Sequence, residues 1–295
     1  MPAFRLLFVI AVALAAISIT HAQQGRGGNQ PPPGPAPKLE KIKDDLYVLQ
    51  NVNSTMADLI AYGGNATICL TEAGVVMIDS KSEQEHDDLV AKLKTLTDKP
   101  VKYVILTHNH GDHAGGAAKL EAMGAMLVIS SDDRDNMARA KQAGTPDLGY
   151  VGKAQVVLGN KEVQLLELRG HTRGDTVAYF PADRVICVGD LLTTADTIPM
   201  IVNYPDGGSW MDWSKSIDEI LKMDFDIVIP GHGPAVTKPQ LVQIRNKFAA
   251  IMERVRTMNR DRKTAEEITQ ALVMEFNWGA GPSAGQIPGM MIELR

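Results

Sequence analysis

The chain has 295 residues, a formal net charge of −5 at pH 7, 44% hydrophobic residues and only 5% aromatic ones. That is enough apolar material for one large domain or two small ones, with a core built mainly from Val, Ile, Leu, Ala and Met. A mildly acidic chain with no run of Lys and Arg lacks the electrostatic footprint of a protein that binds DNA or RNA.

The first residues, MPAFRLLFVIAVALAAISITHAQQ, carry Arg5, then an apolar run from Leu6 to Ile19, then Thr20-His21-Ala22 with small residues where a signal peptidase reads. The run is shorter than the ~20 residues that cross a bilayer. Residues 1–22 are therefore expected to be a signal peptide cleaved after Ala22, with no stable membrane anchor. No Cys follows the run to accept a lipid. Residues 23–38, QQGRGGNQPPPGPAPK, cannot bury enough apolar surface to order themselves and read as a flexible tether. The domain is expected over 39–295, in a periplasmic or secreted protein.

Within it, β-type runs come at LYVLQ, DLIAY, ATICL and VVMIDS. An amphipathic helix is predicted over 82–97, with Leu89, Leu93 and Leu96 on one side; His86 in it reads as a solvated helix-face residue. The strand VKYVIL follows, then a helix from Ala114, the strand AMLVIS, a helix over 132–142 and a Gly-rich loop over 144–154. Further strands are AQVVL, EVQLLELR, TVAYF and RVICVG; a helix over 211–222, the strand FDIVIP and helices over 239–260 and 264–276 complete the series. Strands first, helices interspersed, then the same again, implies two packed sheets with helices outside. Cys69 and Cys187 lie in strand-like runs without metal-ligand spacing and are expected to be unpaired core residues.

Residues 107–116, THNHGDHAGG, hold three of the chain's seven histidines. They begin where VKYVIL ends, and ligands gather at such strand ends. His108 and His110 are two apart, so in extended chain they point the same way. Gly111 would let the chain turn so that Asp112 and His113 face a second point nearby. Three more segments follow apolar runs: GHT with His171, VGDLL with Asp190 and PGHG with His232. Five histidines and two aspartates thus occupy equivalent positions.

H-x-H-x-D-H, then GHT, GD and PGHG in that order, resembles the metallo-β-lactamase superfamily over about residues 40–260. The resemblance implies an α/β fold, an αββα four-layer sandwich, with a binuclear metal site. It implies that His108, His110 and His171 hold one ion, that Asp112, His113 and His232 hold the other, and that Asp190 bridges them. Two Zn2+ are expected, and imidazole with carboxylate also suits iron or manganese. A metal-bridging hydroxide would attack the carbonyl of an ester, thioester or lactam in a small-molecule substrate, with Asp112 as the catalytic residue that orients it. His113 and Asp190 together resemble the glyoxalase II and broad hydrolase branches more than dedicated lactamases. The alternatives are a true periplasmic β-lactamase and, in another class, a periplasmic metal-binding accessory protein without turnover. Asp79 either accepts the second N–H of a ligand histidine or caps a helix; Asp175 has the same choice between a ligand and a turn. Met200, Tyr204 and Trp210 either line the substrate pocket or pack in the loop.

Overall fold

The computed structural model describes residues 37–51, 63–144, 146–194 and 200–295. Among these, seven strands lie side by side in chain order in one sheet: β1 (Lys38–Lys43), β2 (Leu46–Gln50), β3 (Ala66–Thr71), β4 (Gly74–Ile78), β5 (Val101–Ile105), β6 (Met126–Ser130) and β7 (Leu148–Tyr150). Neighbours are antiparallel from β1 to β4 and parallel from β4 to β7. The second sheet holds β8 (Lys153–Leu158), β9 (Lys161–Leu168), β10 (Asp175–Phe180), β11 (Val185–Gly189), β12 (Ile227–Pro230) and β13 (Val236–Thr237), ordered β13-β12-β11-β10-β9-β8. Its one parallel pair among the described strands is β11 with β12.

The layering follows from side-chain alternation, because successive strand residues face opposite ways. Along β4, Val75 and Met77 join a core under the helices α1 (His86–Lys94), α2 (Gly111–Ala114), α3 (Ala117–Ala122) and α4 (Ser131–Ala140). Val76 and Ile78 point the other way, into a core shared with β10–β12. On β10, Ala178 and Phe180 enter that shared core. Val177 and Tyr179 face a third one, under α5 (Trp210–Leu221), α6 (Lys238–Arg260), α7 (Ala265–Phe276) and α8 (Ile287–Glu293). The four layers are thus helices, sheet, sheet, helices. Strands covered on both faces have no solvent side, which is why β4, β10 and β11 are buried throughout and read as unbroken apolar runs.

The helices at 211–222, 239–260 and 264–276 form within a residue of their predicted bounds. Other expectations are corrected. The Gly-rich loop over 144–154 contains β7 and the start of β8; β7 has three residues, too few to display a period. β1 escaped notice because its KLEKIK sequence is an exposed or half-buried edge, and it starts at Lys38, the last residue assigned to the tether. α8 carries Pro288 and Gly289 in its first turn, which disguised it; Ile287 and Met290 dock it on the third core. DLIAY lies outside the described residues, as do residues 1–36. His86 is not solvated: it is 8% exposed, and burial pushes its pKa down, with Lys119 adding to the effect. Met200 and Trp210 are core residues, and Tyr204 packs against that core. Cys69 and Cys187 are free and buried, and burial pushes both thiols up to about 12, which leaves them unreactive. Among the described residues no helix is long and apolar enough to cross a membrane.

The third core is pinned by aromatics. Phe248 stacks on Trp210 at 5.4 Å between centroids with 13° between planes, and meets Trp213 and Trp278 edge-on. Phe248→Ala would leave a cavity among three indoles. Unfolding in urea is expected to show a loss of about 3–5 kcal/mol; a loss below about 1 kcal/mol would show that the cluster closes over the gap.

Candidate metal centre

Both sheets deliver their chemistry at one edge. β5 ends at Ile105, a bend over residues 107–109 carries His108, and His110 stands in extended backbone just before α2 supplies Asp112 and His113. The turn between β9 and β10 carries His171, β11 runs into Asp190, and β12 into His232. All seven residues converge. His108, His110 and His171 offer ligating atoms within 4.8 Å of one another, as do Asp112, His113 and His232. Asp190 stands between the two sets. Its Oδ1 lies 3.3 Å from His113 Nε2 and 3.5 Å from His232 Nε2, and its Oδ2 lies 3.7 Å from His171 Nε2. The backbone must come close for this to happen: a Cβ on Gly231 would collide with Asp190 Oδ1, and one on Gly64 would enter the His113 ring. Gly111, by contrast, has open space where a Cβ would sit and is not the constrained position.

Hydrogen bonds fix the orientation of four rings. His113 Nδ1 donates to Asp79 Oδ2 at 2.9 Å. Thr107 Oγ1 donates to the same carboxylate oxygen at 2.7 Å and so must accept from His108 Nδ1, 3.1 Å away. Asp79 therefore orients two histidines, one directly and one through a hydroxyl, which decides its role in favour of positioning. His171 Nδ1 donates to the Ile201 carbonyl at 2.9 Å, and His110 Nε2 donates to Asp206 Oδ2 at 3.1 Å. For His108, His110 and His171 the neutral ring keeps its proton on the nitrogen turned away from the cluster, so its facing nitrogen offers a lone pair. His108 Nε2 is buried with no hydrogen-bond partner, and His171 Nε2 stands 3.0 Å from His110 Nδ1. Lone pairs brought together in this way fit a divalent cation.

The electrostatics agree. Burial, with neighbouring imidazoles, pushes the pKa of His108 well down, and burial brings His171 to about 4. Both are neutral, as ligands must be. Burial opposes charge on His113 too, but Asp112, Asp190 and Asp79 outweigh it and hold the ring well above its usual value. Burial likewise opposes ionisation of Asp112, yet His113 and His232 bring it down to about 2. Asp190 is held low by His232 and His113 against the same burial. The pocket is built from buried anions that demand positive charge, which a divalent cation supplies in place of the His113 proton.

Several supporting residues were not legible as such. Asp206 holds His110, and Asn203 Nδ2 donates to the same Asp206 oxygen at 3.1 Å, yet neither residue carries a signal of that role in the sequence. Lys81 is fully buried, bonded to Asn51 Oδ1 at 2.5 Å and the Gly64 carbonyl at 2.8 Å, and burial draws its pKa down to about 8. Asp79 and Lys81 both take left-handed backbone, with φ of 61° and 60°, a strained arrangement of the kind that gathers at functional sites. Asp175 bonds the backbone and hydroxyl of Thr172 and serves the turn, not a ligand.

Thr172 also touches a second buried acid. Its Oγ1 lies 2.7 Å from Asp175 Oδ1 and 2.8 Å from Asp133 Oδ2. One hydroxyl proton serves one carboxylate, so the pair keeps a proton of its own. Burial raises Asp133 from 3.8 to about 7 and raises Asp175 as well. The folded state binds this proton more tightly than the unfolded chain, so its stabilisation is complete below about pH 4 and is lost as pH rises to about 7. In metal-free protein, Asp133→Asn is expected to gain stability relative to the parent across that window, read from urea midpoints at its two ends. Parallel pH profiles would contradict the shared proton.

Residues 59–232 match the family model of the Metallo-beta-lactamase superfamily. The chain is 30% identical over 207 residues to the "Metallo-beta-lactamase type 2" of Elizabethkingia meningoseptica, spanning 67% of this chain and 79% of that one. It is 23% identical over 256 residues to the "Beta-lactamase-like protein 2 homolog" of Caenorhabditis elegans, covering 85% and 82%. Among solved structures, the metallo-beta-lactamase from Pontibacter korlensis superposes with a TM-score of 0.65 at 22% identity, over 72% of this chain and 99% of that one. With its αββα layers and its imidazole–carboxylate cluster at the sheet edge, the chain belongs to the metallo-beta-lactamase superfamily and is a metal-dependent hydrolase.

Proposed function

We propose that this hydrolase is an exported binuclear zinc enzyme that cleaves a carbonyl-centred bond, an ester, thioester or lactam, in a small-molecule substrate. Residues 1–22 would be removed as a signal peptide, the residues from 23 up to β1 would tether the domain, and the mature protein would work in the periplasm or outside the cell. The leader's charge-then-apolar pattern supports export. The observation that carries the metal reading is the span of Asp190, whose two oxygens face different ligand sets.

In this reading His108, His110 and His171 hold one ion, Asp112, His113 and His232 the other, and Asp190 both. When bound, a pair of divalent cations acidifies a shared water and polarises a carbonyl oxygen. The chain's own part is arrangement. Asp79, with Thr107, and the Ile201 carbonyl keep three rings turned inward, and Asp206 does so for His110. Asp112 is 19% exposed at its side chain, so it can reach a substrate-side water, and its low pKa keeps it ionised to orient that water. The donor set also accepts iron or manganese.

A second reading, a true β-lactamase, draws on the 30% identity to the Elizabethkingia meningoseptica protein. Turnover of a penicillin, a cephalosporin and a carbapenem beside aryl esters and thioesters separates the two. Elemental analysis of the purified protein is expected to give two zinc equivalents. Asp190→Ala is expected to lose at least one of them and to lower kcat/KM by at least about 100-fold. A variant that keeps both ions and near-parental turnover would remove Asp190 from the bridge.

A further inference from the structure

The family match ends at residue 232, yet the chain folds on through α6, α7 and α8. The last of these reaches back toward the metal centre. Glu293, at the end of α8, places its carboxylate on the N-terminus of α5. It accepts from the backbone N–H of Trp210 at 3.1 Å and of Met211 at 2.9 Å, and from the hydroxyls of Ser209 and Tyr204. An anion there meets both unpaired N–H groups and the positive end of the helix dipole. Gln286, just before α8, accepts from Val202 N at 2.9 Å and from Trp210 Nε1 at 3.1 Å. A Cβ on Gly289 would strike the Tyr204 ring. Two side chains thus grip both ends of the loop 200–209.

That loop is what orients the first ligand set. Its Ile201 carbonyl takes the His171 Nδ1 proton, and its Asp206 and Asn203 contact His110 Nε2. Its other main-chain bonds, Asn203 N to the His171 carbonyl and Ser209 N to the Gly170 carbonyl, tie it to the turn that carries His171. These bonds make loop and ligand turn one body, and the start of α4 holds the turn side of it, through Ser130 on the Gly174 carbonyl, Asp132 on Arg173 and Asp133 on Thr172. On the loop itself α4 adds Asn136 and Arg139 on Asp206, and the C-terminal segment adds Gln286 and Glu293 on the remainder.

We infer that the C-terminal segment 281–294 is a brace for the metal centre, with Gln286 and Glu293 as positioning residues that set the geometry of His110 and His171. This rests on the reading above that His108, His110 and His171 hold a metal ion. The test uses the whole chain, stripped of metal and titrated with Co2+ against a chelator while the d–d absorption is recorded. Glu293→Gln and Gln286→Ala each weaken an anchor of the loop. Leu93→Ala is the control, because Leu93 packs in the core under α1 and belongs neither to the loop nor to the C-terminal segment. The two brace variants are expected to bind Co2+ about tenfold more weakly, to shift its absorption bands and to exchange the amide hydrogens of 200–209 faster. The control should lower stability while binding and spectrum stay within about twofold of the parent. Parental affinity and spectrum in both brace variants, or an equal loss in the control, would overturn the brace. A parent that binds no Co2+ would overturn the metal reading, and the brace with it.

Discussion

The site depends on one electrostatic constraint: three carboxylates, Asp79, Asp112 and Asp190, share a poorly solvated pocket with five imidazoles. Burial disfavours charge there, and Asp112 and Asp190 stay ionised only because positive charge is held beside them. Among the described groups the neighbouring carboxylates raise the pKa of His113 and of His110, while burial keeps His108 and His171 neutral. The result is a lattice of lone pairs and negative oxygens that calls for positive charge at its centre. A divalent metal satisfies that demand with more charge than a proton and without sacrificing a ligand.

The fold makes this possible by separating stability from chemistry. Three apolar cores run between and outside the sheets. None needs a site residue to close it. Side-chain alternation assigns successive strand residues to different cores, so each strand is locked in register by both of its faces. Strand ends are therefore rigid launching points, and short turns from β5, β9, β11 and β12 aim their histidines and aspartates at one place. Asp79 gains from this most, since it follows β4 directly and reaches both Thr107 and His113 across the neighbouring strand end.

This division also explains what the sequence discloses. The candidate ligands are rare residue types at strand ends, so His108, His110, Asp112, His113, His171, Asp190 and His232 stand out against apolar runs. Helices α5, α6 and α7 are legible because each buries a regular stripe. What escaped were features whose signal is not periodic. β1 and β7 are edges that owe their place to backbone pairing, and α8 hides behind Pro288 and Gly289. His86 looked solvated among charged neighbours, because charge on adjacent helix positions says little about the face that one residue takes. Asp206, Asn203 and Glu293 lie 96, 93 and 83 residues from the partners they meet, and Asp133 lies 39 from Thr172, distances over which the linear chain announces nothing.

Such a centre is expensive to the fold when no metal is present, and the surrounding architecture reads as compensation. Buried acids and imidazoles that repel or desolvate one another weaken the metal-free protein, while ligand binding to the native state alone returns stability by mass action. The supports are correspondingly heavy around the first ligand set. A carbonyl, two carboxylates, an amide and a guanidinium all converge on His171, His110 and the loop behind them. Because those supports come from α4 on one side and the C-terminal helices on the other, the geometry of His110 and His171 is set by parts of the chain far from one another in sequence. Losing a single support should therefore leave the histidines present but less sharply aimed, so that affinity for metal declines before the fold does.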